Sequence, residues 1–333
     1  MSINIKARNK AFDSLKAFAA FIVFSTHFWD FYDASVFHLY WEFPTSIVLG
    51  GLNGKFGVAL FGVLVGYFAL SEGFKNTKSI TEYSVKRYVY FLVSCILVNL
   101  IYIIMKGYPI YGAFIHSFSL SGDIFDAFWC IPSFMIASVV CFIFGKLKIP
   151  FLDCLVISIL LVLCGYLWTG ICTLGGSLIW FLMDKPVFKK AYIQIIMYLI
   201  AHVLIRLEES LFAYFIYGLC AVVFVILCNN VCWLNRILSN PVTSSLGKNS
   251  ISIYLIHEVV YLIAGKMLID YSSSMGLSVN AANVISWLGS WIIICLLSYP
   301  MTAFIRFIMK EFSVLYDAVK KRLLKTIDPA KTI

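Results

Sequence analysis

Ten apolar runs follow one another along this chain with only short breaks between them: residues 15–31, 47–70, 88–105, 127–144, 151–168, 171–183, 191–205, 211–228, 251–269 and 281–308. A helix needs about 20 mainly apolar residues to cross a hydrocarbon core of ~30 Å. At that length per helix, 333 residues hold about ten spans and leave little over for a separate globular unit. The chain is 61% apolar and 13% charged, against roughly 25% charged in an ordinary soluble domain. An apolar excess of this size needs the bilayer as its solvent. The expected fold is an all-α, polytopic membrane helix bundle of about ten transmembrane helices. It forms a single membrane domain over residues 1–333, with residues 1–14 as N-terminus, 15–308 as bundle and 309–333 as a basic tail. The runs at 151–168 and 171–183 are the weakest. They share a glycine-containing hinge around Gly170, and a re-entrant hairpin there would leave the orientation of the other runs unchanged.

The loop charges give the orientation. Lys6, Arg8 and Lys10 precede the first run, and Lys75, Lys78, Lys86 and Arg87 follow the second. Lys146 and Lys148 follow the fourth, Lys185, Lys189 and Lys190 the sixth, and Arg236 and Lys248 the eighth. Lys310, Lys320, Lys321, Arg322 and Lys325 follow the tenth. The alternate loops hold Asp30, Asp33, Glu42, Asp123, Asp126 and Asp270 instead. Basic residues on every second loop place both termini in the cytoplasm. The net charge of +9 is thus spread over membrane-orienting segments, and nucleic acid is not an expected partner. The basic start before the first run has no small-residue cleavage pattern and is expected to be a retained signal anchor.

Gly57, Gly62, Gly66, Pro132 and Pro300 fall inside apolar runs, where such residues serve close packing or kinks. The ten cysteines show no metal-ligand spacing, and no metal is expected. Cys95, Cys141, Cys154, Cys164, Cys220 and Cys295 lie in apolar runs, as buried small side chains do. The tail after Phe307 is basic and partly amphipathic, which suits the inner membrane surface.

The first run carries the chemistry. Asp13, Lys16 and His27 are ionisable groups in or beside it, and such groups in a membrane face a cavity or a partner. Lys16 and His27 are eleven residues apart, about three helical turns, so they share a face and lie roughly 16 Å apart along the axis. One reading makes His27 a general base toward a hydroxyl and Lys16 an attractor for an anionic donor. The other makes His27 a buried, hydrogen-bonded packing residue and Lys16 a side chain snorkelling to the interface.

These residues also resemble a family. Lys16 and His27, with ten residues between them and Arg8 and Asp13 ahead, are similar to the opening signature of the acyltransferase-3 membrane family. GVALFGVLVGYF over 57–68 resembles its second-helix motif Phe-Phe-x-x-Ser-Gly-Tyr, and Lys86-Arg87 its basic pair before the third helix. FWCIP over 128–132 resembles its Leu-Trp-Tyr-x-Pro segment, and LGKNSISIYLIH over 246–257 its Gly-x-x-Ser-x-x-x-Tyr-Leu-x-His segment. Two positions depart from the pattern: Val65 stands where the family often has Ser, and Cys130 where an aromatic is common.

The resemblance implies a bacterial inner-membrane O-acyltransferase. Its donor would be acyl-CoA, most often acetyl-CoA. Its acceptor would be a hydroxyl of a cell-surface or lipid-linked glycan. It implies His27 as the catalytic residue with Lys16 as its paired cation. Lys86 and Arg87 are candidates for the phosphates of coenzyme A, and equally for orientation anchors. His257 could neighbour the donor, orient another residue or pack. Tyr67 reads first as packing and second as part of the donor site. Trp129 could stack on the acceptor or belong to an interfacial belt. Asp30 could fix the His27 tautomer or contact the acceptor, or simply be solvated. Membrane lipids and the acceptor glycan are the expected partners, and a homo-oligomer is compatible with the sequence. Carriers of glycan or lipid precursors also have about ten helices, and an intramembrane histidine can relay protons, so a transporter is the alternative. The halves show no evident repeat, which many transporters carry. A glycan polymerase would carry large outer loops, which are short here.

Overall fold

The computed structural model describes residues 10–31, 54–75, 77–106, 130–190 and 211–327, with a few positions between 192 and 199. In chain order the helices are α1 (Lys10–Phe31), α2 (Gly54–Lys75), α3 (Ile80–Lys106), α4 (Ile131–Lys146), α5 (Phe151–Leu163), α6 (Leu167–Leu182), α7 (Leu211–Asn230), α8 (Cys232–Leu238), α9 (Pro241–Lys248), α10 (Ser250–Val260), α11 (Lys266–Ser274) and α12 (Val279–Ile327). A π-turn, Tyr261–Gly265, joins α10 to α11. Among the described residues, four helical segments are long and apolar enough to cross a membrane: α2, most of α3, the α10–α11 unit and α12. A fifth is added if α7 and α8, bent by 96° at their junction, count as one span. Helices α4, α5 and α6 are apolar but shorter. Every expected span with described residues falls on a helix, except that most of the run at 191–205 lies outside them.

The bundle is built around α2, which packs against α1, α4, α6 and α7. Its glycines explain how. A Cβ at Gly66 would collide with the Cys172 carbonyl of α6 and meet Gly176 Cα at 3.3 Å. One at Gly73 would collide with the Phe142 carbonyl of α4 and meet Gly145 Cα at 3.0 Å. With no hydrophobic force between helices in lipid, such backbone-to-backbone approach supplies the packing energy. The glycines therefore do not break α2, which runs unbroken through all of them. Pro132 does not interrupt a helix either. It sits in the first turn of α4, where its missing N–H costs nothing. Pro300 lies inside α12.

Three further expectations are adjusted. The turn between α5 and α6 falls at Gly165, whose φ of +89° favours glycine. Gly170 lies within α6, where a Cβ would collide with Val162 of α5. Cys164 is exposed at that turn and Cys295 is half-buried, while Cys95, Cys141, Cys154 and Cys220 are buried. The helix of the last apolar run does not end near residue 308. Helix α12 runs for 49 residues, about 74 Å, which exceeds a ~30 Å core. The basic tail therefore begins as a continuation of the same helix. It packs back on the start of α3, with Lys320 Nζ 3.8 Å from Glu82 Oε2.

Replacing Gly66 by leucine forces α2 and α6 apart. The expected loss is about 1–3 kcal/mol, read as a lower unfolding temperature in detergent than that of the unaltered protein.

Candidate active site

Helix α1 brings three ionisable side chains into the bundle, and each has a partner. Asp13 is fully buried and its Oδ1 lies 2.9 Å from Lys16 Nζ, at i,i+3 spacing. The Lys16 ammonium also stands 4.8 Å from the centre of the Phe68 ring of α2, a cation–π contact. Helix α9 closes over this turn. A Cβ at Gly247 would collide with the Asp13 carbonyl. The Ser14 hydroxyl donates to the Leu238 carbonyl and lies 2.9 Å from Thr243 Oγ1. Only a residue without a side chain lets α9 sit this close.

A cavity of about 390 Å³ opens at this end of the bundle. Lys16, Lys75, Arg87 and Lys248 line it, together with Glu72 and Tyr67. Glu72 is already neutralised by Lys78, whose Nζ is 2.6 Å away, so the lining is strongly cationic. Arg87 is fixed along one edge: its Nε donates to Ser138 Oγ at 3.2 Å, and its guanidinium lies 4.7 Å from the Phe91 ring centre. Tyr67 both lines the cavity and packs on Phe12 and Trp180, at 5.1 and 5.8 Å between ring centres. Lys86 does not line the cavity. Its Nζ is 3.0 Å from Glu82 Oε1, and it faces the Tyr316 ring of α12 at 5.6 Å.

At its inner end the cavity reaches Phe61, Val65, Ser250 and Ile251. Beyond these lies an aromatic layer. Tyr254 packs on Phe61 at 6.0 Å between ring centres, and Phe61 stacks on Phe134 at 5.5 Å. The Tyr254 hydroxyl is 2.9 Å from Cys130 Sγ. The cysteine thus leaves room for a tyrosine–thiol contact where a larger ring is common.

His27 lies on the far side of this layer. Its Nδ1 is 3.0 Å from His257 Nε2, and the rings are 5.1 Å apart. His257 is 1% exposed and His27 is partly exposed. The His257 ring is held from behind by a bond between its Nδ1 and the Tyr254 carbonyl one turn earlier. Tyr261, the first residue of the π-turn, packs on it at 6.2 Å. That π-turn is tied to α12 by Ser286, whose hydroxyl donates to the Gly265 carbonyl at 2.7 Å.

The structure therefore brings Lys16, Arg87 and Tyr67 to one cavity and His27 and His257 to one contact. Trp129 lies outside the described residues. Asp30 is in the last turn of α1, with its side chain outside them. Lys75, Lys248 and Glu72 were not singled out as site residues from the sequence. Lys248 stands inside the 246–257 segment that carries the family likeness, and this was the signal available for it. On the proposal below that this cavity takes the phosphates of acetyl-CoA, Arg87→Ala and Lys248→Ala should each weaken its binding about tenfold, or about 1.4 kcal/mol. Lys86→Ala should change it less than about twofold, since Lys86 is paired with Glu82 away from the cavity lining. Titration calorimetry on the detergent-solubilised protein checks all three.

A family model described as an acyltransferase domain matches residues 9–306. No curated protein and no solved structure matches the chain.

Proposed function

This chain belongs to the acyltransferase-3 family, and from that premise we propose that it moves an acetyl group from acetyl-CoA to a hydroxyl of a cell-surface or lipid-linked glycan. The observation that carries the donor half of the reading is the cationic cavity at the Lys16 end of α1. Lys16, Lys75, Arg87 and Lys248 converge there, and arginine and lysine together suit a polyphosphate ligand. The acceptor half rests on the family and on His27, a partly exposed imidazole about three turns further along the same helix face.

The charges of the loops orient the site. With both termini in the cytoplasm of a bacterium and ten spans in its inner membrane, the cavity opens to the compartment that holds coenzyme A. His27 then lies in the outer half of the membrane, nearer a glycan at the far surface. The donor enters with its phosphates among the four cations and its thioester pointing past Phe61 and Tyr254. His27 takes the proton from the acceptor hydroxyl. The oxygen attacks the acyl carbon, the C–S bond breaks, and the departing thiolate recovers the proton from the imidazolium. Bond making and proton transfer balance without a metal. An acyl-histidine on the way is compatible with the same atoms. Family membership favours acyl transfer over the carriage of a glycan or lipid precursor.

Protein purified into nanodiscs, given radiolabelled acetyl-CoA and a lipid-linked glycan, should transfer label to the glycan. His27→Ala should lower the rate by a factor on the order of 10²–10⁴, the usual worth of a general base, while still binding acetyl-CoA. Label transfer undiminished in that variant would contradict the role given to His27.

A further inference from the structure

Two histidines in contact pose a question that the two ring nitrogens answer. Each neutral imidazole has one N–H donor and one lone-pair acceptor. His257 Nδ1 contacts the Tyr254 backbone carbonyl. A carbonyl only accepts, so the proton of His257 must be on Nδ1. In the neutral ring, Nε2 then carries the lone pair. His257 Nε2 is the atom 3.0 Å from His27 Nδ1, so His27 must donate from Nδ1. The lone pair of His27 is thereby assigned to Nε2. The other arrangement, with His257 donating from both nitrogens, makes it a cation. At 1% exposure, among Tyr254 and Tyr261, such a cation has no water to solvate it.

We infer that His257 is a positioning residue: it fixes His27 in the tautomer whose Nε2 is the base. This rests on the reading of His27 as general base and removes His257 from the residues that would touch the donor. The pair acts as the carboxylate–histidine pair of a hydrolytic triad does, with a neutral acceptor in place of the carboxylate. When His27 Nε2 takes the acceptor's proton, its Nδ1–H remains bonded to His257 Nε2. That lone pair then stabilises the imidazolium without a proton leaving His27. When the thiolate departs, the proton returns from Nε2 to sulfur and the tautomer is restored. The backbone makes this arrangement stiff. Tyr254 and His257 are one turn apart on α10, so the anchoring carbonyl belongs to the same helix. The π-turn from Tyr261 to Gly265 holds the far end, as such turns commonly do near functional sites.

The test has two parts. The first needs no turnover. The chain has five histidines. With ¹⁵N-labelled histidine, the ring signals of His27 and His257 are assigned by their loss in His27→Gln and His257→Gln. Both rings of the unaltered protein should show the Nδ1–H form. An Nε2–H signal for His27 overturns the proposal. The second part uses acyl transfer. His257→Phe keeps a ring but has no acceptor. It should lose on the order of 10²–10⁴ in kcat with the KM for acetyl-CoA within about twofold of the unaltered value. His257→Gln offers an amide oxygen to His27 Nδ1 and should recover most of that loss. Equal activity of the phenylalanine variant and the unaltered protein overturns the proposal, as does a glutamine variant no better than phenylalanine. If the unaltered protein shows the expected tautomers yet transfers no acyl group, the pairing stands and the reading of function falls.

Discussion

A bilayer interior offers no water to a charge or an imidazole, so each polar group on α1 dictates what must pack against it. Asp13 at zero exposure is held by Lys16, and His27 is held by His257. Asp13 and His27 lie about four turns apart on one face, and different parts of the C-terminal half answer them. Helix α9 seats Gly247 on the Asp13 backbone. Helix α10 delivers His257. The chain from 241 to 260 is thus wrapped along α1, even though more than 200 residues separate the partners. The remaining helices supply the apolar frame that keeps this strip in register, with α2 pulled close to α4 and α6 through glycine contacts.

The same strip divides into two chemically distinct ends. At one, four cations line a cavity whose carboxylate among the described residues, Glu72, is committed to Lys78. At the other, the buried His257 imidazole meets the partly exposed one of His27. Phe61, Tyr254 and Phe134 lie between them. On the proposed function, the charged part of the donor would stay at one end, and a slender, uncharged part of it would reach toward the histidines. A thioester on a flexible arm matches that division. In the proposed reaction the separation would also keep the cations from repelling an imidazolium at His27, about 16 Å along the helix axis from Lys16.

Much of this was legible from residue order. The apolar runs gave the helices, and the eleven-residue spacing placed Lys16 and His27 on one face. What the sequence left unseen has geometric causes. Lys86 and Arg87 form a basic pair on paper, but neighbouring helical residues point about 100° apart, so only Arg87 faces the cavity. Lys75 and Lys248 read as orienting charges at span ends and become cavity residues only when α2 and α9 converge. The run of alternatives for His257 could not be narrowed, because its partner is fixed by tertiary packing of α1 on α10. Gly165 and Gly170 are equally spaced signals in one dimension. Only the sign of φ at Gly165 and the contact of Gly170 with α5 tell the turn from the packing residue. The tail looked like a separate surface helix because its charge changes abruptly, yet nothing in residues 300–327 stops α12.

The central claim is that the cationic cavity and His27 serve a single donor molecule across the aromatic layer. Cryo-electron microscopy of the protein with a non-hydrolysable thioether analogue of acetyl-CoA tests this directly. The account predicts phosphate oxygens within about 3 Å of Lys16, Arg87 or Lys248 and the acyl carbon beyond Phe61 and Tyr254, near His27 Nε2. An analogue bound with its phosphates elsewhere, or with its acyl end halted on the cation side about 10 Å, or two helical turns, short of His27, would contradict it.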